Sequence, residues 1–81
     1  MVRVVLSGNL RHLTGGESEF EVEAGNIGQL FRVLARRYPD LEPHLEEGVA
    51  VAIDGQIFQE ALFEPIPPDA EVHLMPQIAG G

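Results

Sequence analysis

The residues best placed to do chemistry in this sequence are not side chains at all. It closes on Pro76-Gln77-Ile78-Ala79-Gly80-Gly81, with a bare glycine pair four residues after the strand-like segment Glu71-Val72-His73-Leu74-Met75. Glycine has no side chain and adopts backbone angles closed to other residues, so the pair can thread a slot too narrow for anything else and present its carboxylate. The reactive group would then be main-chain, the carboxylate of Gly81. The side-chain candidates are weaker. His12, His44 and His73 have no spacing that sets two on one helix face or hairpin, so no metal site is predicted. Ser7 and Ser18 lack a nucleophile elbow and an obvious histidine and acid partner. The thirteen Asp and Glu fall on strand faces and a connector. Paired-acid catalysis needs a cleft that so small a domain scarcely has, and the chain is predicted to be no enzyme by itself.

Composition narrows the classes further. Eighty-one residues make one domain, near the size at which a single core supplies only a few kcal/mol of net stability, roughly 3 to 5. With 44% hydrophobic residues and no apolar run approaching the ~20 needed to span a bilayer, the chain is expected to be soluble, with no membrane partner. Val2 to Leu6 is too short for a signal peptide and Arg3 interrupts it, which predicts a cytoplasmic address. Cysteine is absent, removing disulfides, thiolate catalysis and cysteine-ligated clusters, so any sulfur handled here must be borrowed. Lysine is absent too: the five cations are Arg3, Arg11, Arg32, Arg36 and Arg37. The net charge of -8 would repel phosphate backbones, which argues against nucleic acid and for a basic protein surface as partner.

The elements that must position the tail can be taken in order. Met1 to Ser7 is rich in β-branched residues and predicts a strand with Val2, Val4 and Leu6 on one face. Gly8 to Gly16 reads as a loop turned by Thr14-Gly15-Gly16, and Glu17 to Glu23 alternates as a half-exposed strand with Phe20 and Val22 inward. These two strands predict a hairpin. Asn26 can cap a helix along which Ile27, Leu30, Phe31, Leu34 and Tyr38 form one apolar stripe, stopped by Pro39. The connector 39–48 is predicted to carry Leu41 and Leu45 back to the core on a short helical turn. Val49 to Ile53, the turn Asp54-Gly55 and the return strand Gln56-Ile57-Phe58 make a second hairpin. Pro65, Pro67 and Pro68 predict an irregular crossing before the last strand, Glu71 to Met75, with Val72 and Leu74 inward. The order predicts an α+β domain, a mixed sheet with one main helix on one face, which is the β-grasp (ubiquitin-like) arrangement. The expected core is Val4, Leu6, Phe20, Val22, Leu30, Phe31, Leu34, Val51, Ile53 and Leu74. Residues 1–75 would be the domain and 76–81 a flexible tail. Alternation sets Arg3, Val5, Ala50, Ala52, His73 and Met75 on the sheet face away from the helix, and Val5, His73 and Met75 are the predicted docking residues beside the tail.

Read together, the opening strand, Leu10-Arg11, Leu30 through Tyr38-Pro39, Val51-Ala52-Ile53-Asp54-Gly55, Asp69-Ala70-Glu71-Val72 and the tail Ile78-Ala79-Gly80-Gly81 resemble the MoaD/ThiS family of sulfur carrier proteins, relatives of ubiquitin. The resemblance covers essentially the whole chain. It implies that the first and last strands pair in parallel. It also implies a cycle in which a ubiquitin-activating-like enzyme adenylates the carboxylate of Gly81 with ATP, sulfur replaces AMP, and the thiocarboxylate is delivered to an acceptor. Ile78, Ala79 and Gly80 would be threaded into the partner, and no cofactor would be bound by the carrier itself. Length and the Leu41 to Gly48 connector resemble the small subunit of molybdopterin synthase, whose large subunit would be the acceptor in molybdenum cofactor biosynthesis. Thr14-Gly15-Gly16 also resembles carriers that feed sulfur to cysteine or related metabolites, and the thiamine carriers belong to the same family. The alternatives from other classes are a ubiquitin-like modifier conjugated through Gly81 and a plain interaction domain.

Overall fold

In the computed structural model, residues 1–59 and 61–76 are described, apart from the side chain of Asn9. The strands are β1 (Val2–Leu6), β2 (Glu19–Val22), β3 (Val49–Ile53), β4 (Gln56–Phe58) and β5 (Glu71–Pro76), and the helices are α1 (Ile27–Arg37) and α2 (Glu42–Glu47). They form one five-stranded sheet in the order β2-β1-β5-β3-β4. β1 and β5 run parallel, as the resemblance implied, and the other neighbours are antiparallel. Period-two alternation decides which side is buried. Val2, Val4 and Leu6 of β1, Phe20 and Val22 of β2, Val49, Val51 and Ile53 of β3, and Val72 and Leu74 of β5 join Ile27, Leu30 and Leu34 of α1 in one core. This is the β-grasp fold.

The start of α1 shows why the chain turns helical there. The Asn26 side chain accepts from Gln29 N at 2.8 Å, and the Gln29 side chain accepts from Gly25 N at 2.7 Å, a variant of the reciprocal capping box. Two further free donors are met by the loop after β4: Ile27 N donates to Glu64 O at 3.0 Å and Gly28 N to Leu62 O at 2.8 Å. Gly28 permits that approach, since a Cβ there would stand 3.1 Å from Leu62 O. The proline-rich loop, expected to be only an irregular crossing, is thus fastened to the helix and contributes Ile66 and Ala70 to the core.

Other expectations shift. Residues Gly8–Thr14, read as a loop, wind into a 3-10 helix. Leu10 is buried by it, and the Thr14 hydroxyl lies within hydrogen-bond distance of two carbonyls, Glu17 O at 2.6 Å and Arg11 O at 3.0 Å. The connector is more ordered than a single turn: a 3-10 turn, Pro39–Leu41, leads into α2, and Leu41 and Leu45 are buried as expected. Phe31, assigned to the core, is only half-buried, because the crossing of α1 over the sheet centres on Leu30 and Leu34. The Asp54-Gly55 turn has positive φ at both residues, 48° and 92°, the primed geometry that matches the twist of a two-residue hairpin.

Candidate functional site

β5 is a central strand, and it ends at Pro76, the last described residue before the Gly-Gly pair. It is held on both sides, by β1 through Leu6↔Leu74 and by β3 through Val49↔Pro76, so the ladder extends to the last described residue, one beyond the predicted strand end. Ser7 N donates to Leu74 O at 3.0 Å, which carries the anchoring past the end of β1. Pro76, the exit from the described sheet, is therefore a fixed point. Ile78, Ala79, Gly80 and Gly81 lie outside the described residues.

Beside that exit the sheet has an open face. Its residues fall into rows because paired strands bring same-face side chains about 4.5 to 5.5 Å apart. One row runs Glu19, Val5, His73, Ala52, Ile57 across all five strands, and the adjoining row toward the exit holds Met75 opposite Ala50. The three predicted docking residues, Val5, His73 and Met75, therefore do share one surface, and all are half-buried. Ala52 is more covered than expected, 8% exposed. Ile57 is a member that sequence reading missed, at 60% exposure. The signal was present in Gln56-Ile57-Phe58, where an inward Phe58 requires an outward Ile57. A shallow depression lined by Ala52, Asp54, Gly55, Glu71, His73 and Met75 lies along this face.

Charge frames the apolar strip. Arg3 Nη2 is 3.1 Å from Glu19 Oε2, and His73 Nε2 is 2.7 Å from Glu71 Oε1, a contact in which the ring N–H donates to the carboxylate. Both pairs are half in solvent and add little stability. They leave Val5, Ala50 and Met75 as an apolar middle, with Ile57 at the β4 edge. An apolar centre with a polar rim is the composition of a protein-docking surface. Among the described residues no group of three metal-ligating side chains gathers, and no helix is long and apolar enough to cross a membrane.

Known proteins of the same shape can now be set beside this geometry. No curated protein matches the sequence. The chain superposes on the Amycolatopsis orientalis BexX/CysO complex with a TM-score of 0.81 at 20% identity, covering 100% of both chains. It superposes on the Helicobacter pylori complex of subunits 1 and 2 of molybdopterin-converting factor with a TM-score of 0.68 at 22% identity, covering 99% of this chain and 97% of that one. SAMP1 from Haloferax volcanii gives a TM-score of 0.68 at 22% identity, covering 99% of this chain and 98% of that one. At these identities the likeness establishes the fold. The sequence itself matches the ThiS family over residues 4–81, including the Gly-Gly end, and the chain therefore belongs to that family of ubiquitin-like sulfur carriers.

Proposed function

We propose that the chain carries sulfur as a thiocarboxylate on Gly81. The observation that supports this most is where β5 ends, at Pro76 beside the open sheet face. A strand paired on both sides brings the chain to Pro76 beside an apolar strip, and the ThiS family match continues through Gly81. In the proposed cycle, the Gly81 carboxylate attacks the α-phosphate of ATP in the active site of a ubiquitin-activating-like enzyme, releasing pyrophosphate. Hydrosulfide then attacks the acyl carbon and AMP leaves, giving the thiocarboxylate. The carrier supplies the acyl group and the docking strip, while its partners supply ATP, sulfur and catalysis. The strip bears the affinity because ordering the tail costs about 1 to 2 kcal/mol per residue.

The acceptor proposed first is the large subunit of molybdopterin synthase. It is supported by the helical connector Pro39 to Glu47 and by the likeness to a two-subunit converting-factor complex. The second is an enzyme of cysteine or related metabolism, supported by the Thr14-Gly15-Gly16 turn and the higher superposition on the BexX/CysO complex. Both place the carrier in the cytoplasm. The experiment is intact-mass analysis of the chain after incubation with ATP, a sulfur donor and a cognate activating enzyme. We expect a gain equal to exchanging one oxygen for sulfur, abolished by one residue added after Gly81. Charging of the extended chain would refute the mechanism. Adducts on target lysines without thiocarboxylate would move the assignment to a protein modifier. Complementation of a cofactor-synthesis defect, set against a cysteine-synthesis defect, separates the two acceptors.

A further inference from the structure

A second surface lies on the other side of the fold from the docking strip. Between α1, α2 and the loop after β4, a cavity of about 210 Å³ is lined by Ile27, Phe31, Leu45, Val51, Phe58 and Ala61, enough for one bulky apolar side chain. Its rim is acidic: Glu46 and Glu47 line it, Glu42 lines its continuation along α1 and α2, and Arg32 is the one cation among the described lining residues. At its lip Leu62 is 50% exposed and Phe63 is 94% exposed.

Phe63 is held out on a braced turn. Glu64 N donates to Ala61 O at 2.9 Å, closing the turn around it, and the carbonyls on either side, Leu62 O and Glu64 O, accept from the first two N–H groups of α1. An aromatic side chain carried on rigid backbone loses little further entropy when a partner covers it, which is what makes aromatic anchors effective.

We infer that this groove and Phe63 form a second docking surface for a basic partner protein. The partner would seat an apolar side chain between Phe31, Leu45 and Leu62, pack against Phe63, and set Arg or Lys against Glu42, Glu46 and Glu47. Charge selects this occupant. A second copy of the chain would bring another acidic rim and a net charge of -8, and an anionic membrane would be repelled for the same reason. Because the groove and the open sheet face lie on opposite sides of the sheet, one protein could hold the carrier while the tail is engaged by another.

The test is a titration of isotope-labelled protein, followed by amide NMR, with two short peptides. One has a leucine stripe flanked by arginines, and its twin has glutamates in their place. The basic peptide should move the resonances of Phe31, Leu45, Leu62 and Phe63, and its affinity should fall about tenfold in Phe63→Ser. Added salt should weaken it as well. Glu46→Lys, an exposed change away from the loop, should reduce the preference for the basic peptide and reads the electrostatic part separately. Equal effects of both peptides, or shifts confined to Val5, His73 and Met75, would overturn the inference. Concentration-dependent shifts of the groove amides without peptide would overturn it in favour of self-association. None of these outcomes depends on whether Gly81 carries sulfur.

Discussion

Tyr38 closes α1 with its ring 5.2 Å from that of Phe20, its hydroxyl donating to Glu17 Oε2 at 2.9 Å, and the Arg37 guanidinium over both rings at 5.2 and 5.5 Å. Burial, and then the hydrogen bond to Glu17, push its phenol above the ordinary value of 10.0. Because the raised value belongs to the folded state, the associated stability is complete below the unfolded value and is lost as pH rises through the folded one. The chain has one tyrosine and no tryptophan, so alkaline ultraviolet titration reports this residue alone. We expect the phenolate to appear above pH 10.0 in the folded protein, nearer 10.0 in denaturant, and at an intermediate pH in Glu17→Gln. A folded midpoint at or below the denatured one would contradict the packing. The apolar character of Tyr38 was legible from helical spacing. Its hydroxyl partner was not, because Glu17 is far away in sequence and only the β1–β2 hairpin brings it near.

At the scale of elements, α1 begins where Asn26 can cap it and ends where Tyr38-Pro39 forbids another turn. Replacing Asn26 with alanine should cost about 1 kcal/mol, within the usual range for a lost cap. Chemical denaturation measures this, and a change indistinguishable from zero would mean that the loop after β4 satisfies the helix start unaided. Strand β5 allows a cleaner separation of fold from function. Met75 sits on the open face, half-buried and opposite Ala50, so Met75→Glu should leave the unfolding midpoint nearly unchanged and weaken binding to the activating enzyme. Unchanged affinity would remove this face from the docking site. Local signals were sufficient for Asn26 and for Asp54-Gly55, since a cap and a primed turn are decided by neighbours along the chain. They failed for Gly8–Thr14, where Leu10 is drawn into a core that the segment itself does not contain.

For the whole molecule, one core serves all five strands and both helices, and Leu34 lies within it with no exposed surface. Leu34→Ala should cost about 2 to 5 kcal/mol, through lost transfer energy and the cavity left behind. That is a large share of what a domain this small has to spend. A loss below about 0.5 kcal/mol, the usual surface range, would place Leu34 outside the core. The sequence by itself determined the order of the strands and the main helix, the inward faces of β1, β2, β3 and β5, the helix cap, the acidic and cysteine-free character of the chain, and the Gly-Gly end that marks its family. These follow from period, local hydrogen bonding and composition, which are properties of neighbours along the chain. Tertiary structure alone decided that Ile57 joins Val5 and His73 across three strand pairings, that Glu17 meets Tyr38, and that Leu62 and Glu64 brace the start of α1 while Phe63 stands in solvent. Each of these depends on strand order and register or on a loop packing back against a distant helix, so it was settled only when the whole chain closed around its core.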